Sequence, residues 1–313
     1  IGMDVDKAKV QAMADVAIEA GMEMIHVDAG WFRAVGDWRP NPEKFPGNAL
    51  RELSDYVHAH GMRFGLWVGW VQGGDRTAVG DATEPALSVF NSTQNGWFPQ
   101  IPQPATGNTK FGEKYHNPGP FTGATMCLGS VDAQEWAVAR LRQVILDFDL
   151  DMLEHDQPII THSGCDREGH HHVVNDTTDS SRAAAQGYYI VYDTVRNWSA
   201  VAHRPMFFED CVNGGRVIDF GIVQRTHYYS VSDNYDSLTC RKAFYDASYP
   251  FPPSMLELYL QDSDHLRGYK GGFVYMLRSA LLGWPTIMFN SSSWNPDELS
   301  SAKVEFANYK AKL

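Results

Sequence analysis

The chain has no hydrophobic run long enough to cross a bilayer. Its longest, ALLGWPTIMF, spans ten residues, about half of the ~20 a membrane helix needs. It is also short of positive charge. Lys and Arg total 26 against 38 Asp and Glu, a net charge of −12, so phosphate backbones are repelled. Neither membrane nor nucleic acid is expected as a partner. Cysteines are few: Cys127, Cys165, Cys211 and Cys240 show no metal or redox spacing and are expected to be free structural thiols. No Gly-rich phosphate fingerprint follows any predicted strand, which counts against a nucleotide-binding fold. The GxSxG and HExxH patterns are absent, which leaves serine-based hydrolysis without support.

What is present is ordinary globular material. The 313 residues, 43% hydrophobic and 20% charged, suffice for one large domain with a full core. Nine Trp and fourteen Tyr offer flat rings that suit sugar faces and serve equally well as core. The chain opens on Ile1 and runs straight into a helical pattern. Its true start is therefore expected elsewhere, and the compartment cannot be read from this end.

Helical spacing at Val10, Met13, Ala14, Ala17 and Ile18 predicts a first helix. EMIHVD reads as the strand that follows it. The alternation continues: a helix around Leu50–Val57, the strand RFGLWVGW, a helix from Ala137 to Phe148, and the strand LDMLEHD. A helix from Tyr188 to Trp198 precedes PMFFEDC, and a short helix over residues 214–223 precedes RTHYYSV. SMLELYL follows, then a helix around Phe273–Leu281, TIMFN, and a last helix over 297–310. Residues 71–127 form a Pro-, Gly- and Asn-rich segment too long for a plain connection, expected to be functional or to wall a cleft. Alternating strands and helices imply a parallel sheet. Seven strands are counted and eight close a barrel. The expected fold is an α/β TIM (β/α)8 barrel lacking its first strand, with that strand expected upstream of Ile1. An open doubly wound sheet is the runner-up.

Catalytic side chains in such barrels sit at the carboxyl ends of strands. Asp156 closes LDMLEHD and Asp233 closes RTHYYSVSD. Alternation along a strand gives Glu154 and Asp156 one face, as it does His26 with Asp28, Glu209 with Cys211, and Tyr229 with Val231 and Asp233. If those faces point inward, one pocket collects Asp28, Glu154, Asp156, Glu209 and Asp233, with Trp31 and Trp67 as a sugar platform. Paired carboxylates in one pocket are what glycoside hydrolysis requires. HSGCDREGHHH, after Asp156, matches no zinc spacing. No regular helix or strand aims His170, His171 and His172 at one ion, so a solvated loop is expected there, with no metal and no cofactor.

MEMIHVDAGWF and GDWRPNPEKFPGNALRELSDYVHAHGMRFGLWV resemble glycoside hydrolase family 36, the melibiase-type α-galactosidases, and more broadly its clan. The resemblance continues in order through DMLEHD, FFEDCVNGGRVID and SVSDNYD. It implies Asp156 as nucleophile and Asp233 as acid/base. Cys211 and the glycines after it, Gly214 among them, would wall the sugar 2-position, and Asp28 and Trp67 would contact substrate. One catalytic (β/α) barrel domain over residues 1–313 is expected, without the family's flanking β-rich domains.

Ala29 stands where the family has the second Asp of DDGW, and Glu154 where it has a Lys. Those two groups ordinarily hold galactose hydroxyls. The resemblance therefore implies a retaining, exo-acting, α-galactosidase-like hydrolase with an altered sugar preference, acting on an oligosaccharide or glycoside. Two alternatives stay open: a transglycosidase similar to raffinose synthases, and a catalytically altered sugar-binding barrel. Lys-to-Glu places a second carboxylate beside the nucleophile, and a proton, a cation, a metal or a cationic substrate must offset it. A homo-oligomer is compatible with the sequence.

Overall fold

The computed structural model of the chain describes residues 4–34, 36–73, 96–98, 124–156, 164–215, 218–233, 236–260, 265–288 and 293–312. Helix α1 (Lys7–Ala20) leads into β1 (Met24–Val27), a hairpin of β2 (Phe32–Ala34) and β3 (Asp37–Pro40), α2 (Ala49–Ala59) and β4 (Arg63–Trp67). Two short strands, β5 (Gln72–Gly73) and β6 (Ala124–Thr125), pair antiparallel. They close the base of the 71–127 segment, most of which lies outside the described residues. Next come α3 (Val131–Phe148), β7 (Met152–His155), α4 (Thr177–Val201) and β8 (Phe207–Asp210). The single turns α5 (Val212–Gly215) and α6 (Phe220–Val223) precede β9 (Tyr228–Ser230), α7 (Ser237–Ala247) and β10 (Leu256–Leu260). The described chain closes with α8 (Gly272–Ala280), β11 (Trp284–Ile287) and α9 (Pro296–Lys310).

Seven strands form one all-parallel sheet in the order β1-β4-β7-β8-β9-β10-β11. The order follows the chain without reversal. A doubly wound sheet reverses at a switch point, so the runner-up fold is excluded and the architecture is a partial TIM barrel. The gap in the strand ring lies between β11 and β1. The helical layer continues across it: Ala302 and Phe306 of α9 share a core cluster with Ala20, and Lys303 pairs with Glu19 at 2.7 Å.

Local chemistry sets the helix starts. Asp6, Ser130 and Asp176 each accept a hydrogen bond from a first-turn amide of α1, α3 and α4, and Asn295 with Glu298 forms a capping box on α9. Gly21 ends α1 at φ 77°, where a residue without Cβ is unstrained. Helix α7 had no sequence expectation. Its buried positions are only Ser237 and Cys240, too thin an apolar stripe for periodicity to register. The hairpin of β2 and β3 went unread as well, because each strand is only three or four residues long.

Candidate active site

Register and alternation stack the barrel interior in layers. Gly65 faces Met152, and a Cβ there would stand 2.6 Å from the Met152 sulfur, so glycine lets methionine fill the floor. Phe207 and Tyr228 pack their rings on Trp284, the latter stacked at 4.1 Å. Above this floor sit His26, Glu154, Glu209, Glu257 and Tyr259. The carboxyl edge carries Asp28, Trp67, Asp156 and Cys211, with Asp233 just beyond β9.

Trp67 Nε1 donates to Asp156 Oδ2 at 3.2 Å, holding the half-buried carboxylate at the mouth. The Trp67 ring is locked in turn by stacking on Phe32. Asp233 leans on the opposite wall. A Cβ on Gly214 would meet the Asp233 carboxyl at 2.5 Å, and Gly214 has φ +67°, so glycine is required there twice over. The Cys211 thiol donates to Asp233 Oδ1 at 3.9 Å. Burial, then the charges of Asp156, Glu154 and Asp233, push that thiol well up, so it stays a neutral donor. Burial, opposed by the Ala29 amide and assisted by the Asp156 and Asp233 charges, pushes Asp28 up to about 6. Asp28 thus lies close enough to feel both Asp156 and Asp233, and Cys211 sits beside Asp233. Asp233 itself is exposed, not partly buried as its acid role would suggest.

Glu154 is met by His26, whose Nε2 lies 2.7 Å from Glu154 Oε2. Burial drives the two groups in opposite directions. The imidazole falls to about 4. Glu154 rises well above the ordinary carboxylate range, further lifted by Asp28 and Asp156. Burial therefore favours the neutral imidazole and the protonated carboxyl over an ion pair. The second carboxylate expected beside the nucleophile is thus driven toward its uncharged form. Two ionised carboxylates 4–6 Å apart repel by about 3–4 kcal/mol at an effective dielectric of 20, so neutrality is the lower-energy state. Glu209 is likewise raised by burial and by Glu154 and Glu257, and it accepts from Tyr259 at 3.2 Å. Glu257 accepts from Thr286 at 2.5 Å. Burial raises Glu257 as well, so neither member of this acid pair ionises readily.

The structure places three expected contacts differently. Trp31 is 0% exposed. Its ring packs against Phe32, Trp38 and Phe148 and its Nε1 donates to the Trp67 carbonyl, so it supports the rim and offers no sugar platform. Trp67 is also buried, and its polar edge rather than its face meets the site. Tyr229 turns away from the pocket. It pairs in register with Asp210, whose carboxylate accepts from Tyr188 of α4, and its ring meets Phe251. Tyr228, opposite Glu209, is the inward tyrosine. The alternation linking Tyr229 to Asp233 fails because β9 ends at Ser230 and the chain bends before Asp233.

Sequence reading missed Glu257 and Tyr259, though a glutamate alternating with a tyrosine in an apolar strand was the available signal. It also missed that Cys127, Cys165, His170 and His172 converge, with their ligand atoms all within 4.8 Å of one another.

The chain resembles known proteins in sequence and in fold. A family model for Melibiase matches residues 1–71. The chain is 25% identical over 272 residues to the α-galactosidase Mel36A of Lactobacillus acidophilus, covering 81% of this chain and 31% of that protein. It is 27% identical over 204 residues to an A type blood α-D-galactosamine galactosaminidase of Flavonifractor plautii, covering 64% of this chain and 17% of that one. The crystal structure of the GH36 α-galactosidase AgaA of Geobacillus stearothermophilus superposes with a TM-score of 0.78 at 21% identity, over 99% of this chain and 40% of that one, a likeness of fold. The chain therefore spans well under half the length of the relatives it matches. The chain is therefore similar to the melibiase-type α-galactosidases in sequence, most clearly over its first 71 residues, and shares the barrel fold of the family 36 structures.

Proposed function

We propose that residues 1–313 act as one catalytic barrel domain of a retaining, exo-acting α-glycosidase of α-galactosidase type. Asp156 attacks the anomeric carbon and forms a glycosyl-enzyme. Asp233 first protonates the leaving oxygen and then takes a proton from water. The observation that carries the reading is the grouping of Asp156, held by Trp67, and Asp233, held by Gly214 and Cys211, at one strand edge. A sugar seated over the exposed Asp233 would desolvate it, favouring the protonated form that the first step needs.

Hydrolysis of a panel of aryl α-glycosides of galactose, N-acetylgalactosamine, galactosamine, glucose and arabinose, with product anomers followed by NMR, tests the proposal. Retention of configuration is expected. Inversion would require a carboxyl separation of about 6.5–9.5 Å rather than 5–5.5 Å and would remove Asp156 as nucleophile. Added acceptor sugar separates hydrolysis from transglycosylation. Tight binding without turnover across the panel would favour a sugar-binding barrel.

A second reading, a glycone bearing an amine, draws on Glu154, an acid where the resemblance implies lysine. It draws also on the Flavonifractor relative, whose name gives galactosamine as its sugar. Preference for the galactosaminide over the galactoside, strongest where the amine is charged, is its signature.

A further inference from the structure

The fold brings four metal-ligating side chains together outside the acid-lined mouth. Cys127 lies in the turn between β6 and α3. Cys165, His170 and His172 lie in the segment that leads from β7 into α4. Cys127 Sγ is 3.2 Å from His172 Nε2, and Cys165 Sγ is 3.5 Å from His170 Nδ1. All four ligand atoms fall within 4.8 Å of one another; both thiols are buried and both imidazoles half-buried. The cysteines form no disulfide. A tetrahedral zinc ion with sulfur at about 2.3 Å and nitrogen at about 2.0–2.1 Å separates its ligands by roughly 3.3–3.8 Å. The Cys165–His170 distance of 3.5 Å is at that spacing, and the Cys127–His172 distance of 3.2 Å is just below it.

Several features aim these groups at a common centre. His172 Nδ1 lies 3.1 Å from the Val173 carbonyl, so it carries the proton and leaves the Nε2 lone pair facing Cys127. A backbone acceptor behind a ligand histidine is a common way to fix that tautomer. His170 and His172 share one side of the segment while His171 is exposed, which resolves the difficulty posed by three consecutive histidines. Gly129 leaves room for the cluster: a Cβ there would stand 2.9 Å from the His172 ring and 3.4 Å from Cys127 Sγ. The main chain ties the two segments beside the cluster through His171 N to Gly129 O, and Asn175 N to Cys165 O closes the second segment on itself, both at 2.9 Å.

We propose that Cys127, Cys165, His170 and His172 form a closed Cys2His2 site for a structural zinc ion, clasping the segment that follows the Asp156 strand to the turn that enters α3. Two thiolates and two neutral imidazoles balance the ion's charge, and four protein ligands leave no position for substrate or water, so the ion is a fastener and not a reagent. Binding releases the thiol protons and ties down a connection that the sheet does not itself hold.

The test is metal analysis of the whole chain, prepared reduced and without a histidine tag. About one equivalent of zinc per chain is expected. Cys127→Ser/Cys165→Ser should lose it and Cys240→Ser, a buried thiol bonded to the Tyr259 carbonyl, should keep it. In case the double variant fails to fold, the unmodified chain is stripped with chelator and reloaded with cobalt. A tetrahedral cobalt spectrum with a thiolate charge-transfer band, displaced by one equivalent of zinc, supports the site, as does a fall in Tm on stripping that zinc reverses. Failure of the reduced chain to hold zinc after reloading, an octahedral cobalt spectrum, or a Cys127–Cys165 disulfide in protein prepared without oxygen would overturn it. Glycosidase activity enters none of these readouts.

Discussion

The mouth of the barrel and the Cys/His cluster on its rim hold chemistry in opposite ways. At the mouth, acids ride on strand ends. Hydrogen-bonded ladders fix their positions, and the sheet holds Asp28, Glu154, Asp156 and Glu209 near one another although burial and mutual repulsion oppose it. On the rim, ligands ride on connecting segments with little regular structure, and a bound ion would contribute the fastening itself. The mouth stores unfavourable electrostatics inside a rigid frame; the rim would be strengthened by its occupant. Function therefore draws on stability in the first region and can add to it in the second.

Asp156→Ala breaks the comparison most sharply if it is wrong. Turnover should fall by at least about a thousandfold, while sugar binding by calorimetry persists and Tm holds or rises, because a carboxylate leaves a crowded site. Rim substitutions should do the reverse, lowering Tm first. An Asp156→Ala protein that hydrolyses its best substrate at the unaltered rate would remove the mouth as the reaction site.

Trp67→Phe sharpens the division between support and contact. The ring stack on Phe32 survives, but the donor to Asp156 is lost. A hydrogen bond to a charged group is worth about 1.5–3 kcal/mol, so kcat/KM should fall roughly 10- to 100-fold. A rise in KM alone would instead make Trp67 a sugar contact, as first expected from sequence.

The two regions also differ in how far they could be read from sequence. All seven barrel strands show as short apolar runs between helical patterns, and the shared faces of Glu154 with Asp156 and of Glu209 with Cys211 follow from alternation, both local properties of the chain. That logic broke at Tyr229, where a three-residue strand ends and bends, and at Trp31, where burial by Phe32, Trp38 and Phe148 depends on a hairpin too short to show periodicity. The Cys/His cluster was illegible for a different reason. Cys127 and Cys165 are 38 positions apart with a whole helix and strand between them, and only tertiary packing of α3 against α4 closes that distance.

A pH series of unfolding free energies probes the strain at the mouth. Asp28 has a folded pKa raised to about 6 from 3.8. Its favourable contribution is complete below the unfolded pKa and is lost as pH rises through about 6. Asp28→Asn should therefore stabilise the protein by about 1–3 kcal/mol near pH 7.5 and change little near pH 3.5. The His26–Glu154 pair gives a different profile. Between about 4.5 and 6.5 it holds one proton in both states, on histidine when unfolded and on glutamate when folded, so it adds no slope. Above that window the unfolded chain releases its proton while Glu154 keeps its own, and stability falls as pH rises. Glu154→Gln, which does not titrate, should flatten the alkaline decline. A decline left unchanged would mean that the proton responsible for it lies outside this pair.

The smallest effect is the most discriminating for the strand geometry. Tyr229→Phe should leave kcat/KM within about twofold, some 0.4 kcal/mol, because Tyr229 pairs with Asp210 on the helix-facing side and its ring meets Phe251. Tyr228→Phe removes a hydroxyl from the layer that holds Glu209 and Glu257 and should move the alkaline limb of the stability profile. If the two substitutions exchanged these effects, the register of β9 would be off by one residue. A one-residue slip turns every side chain of a strand to the other face, and it would carry Asp233 out of reach of Gly214 and Cys211, taking the acid/base assignment with it.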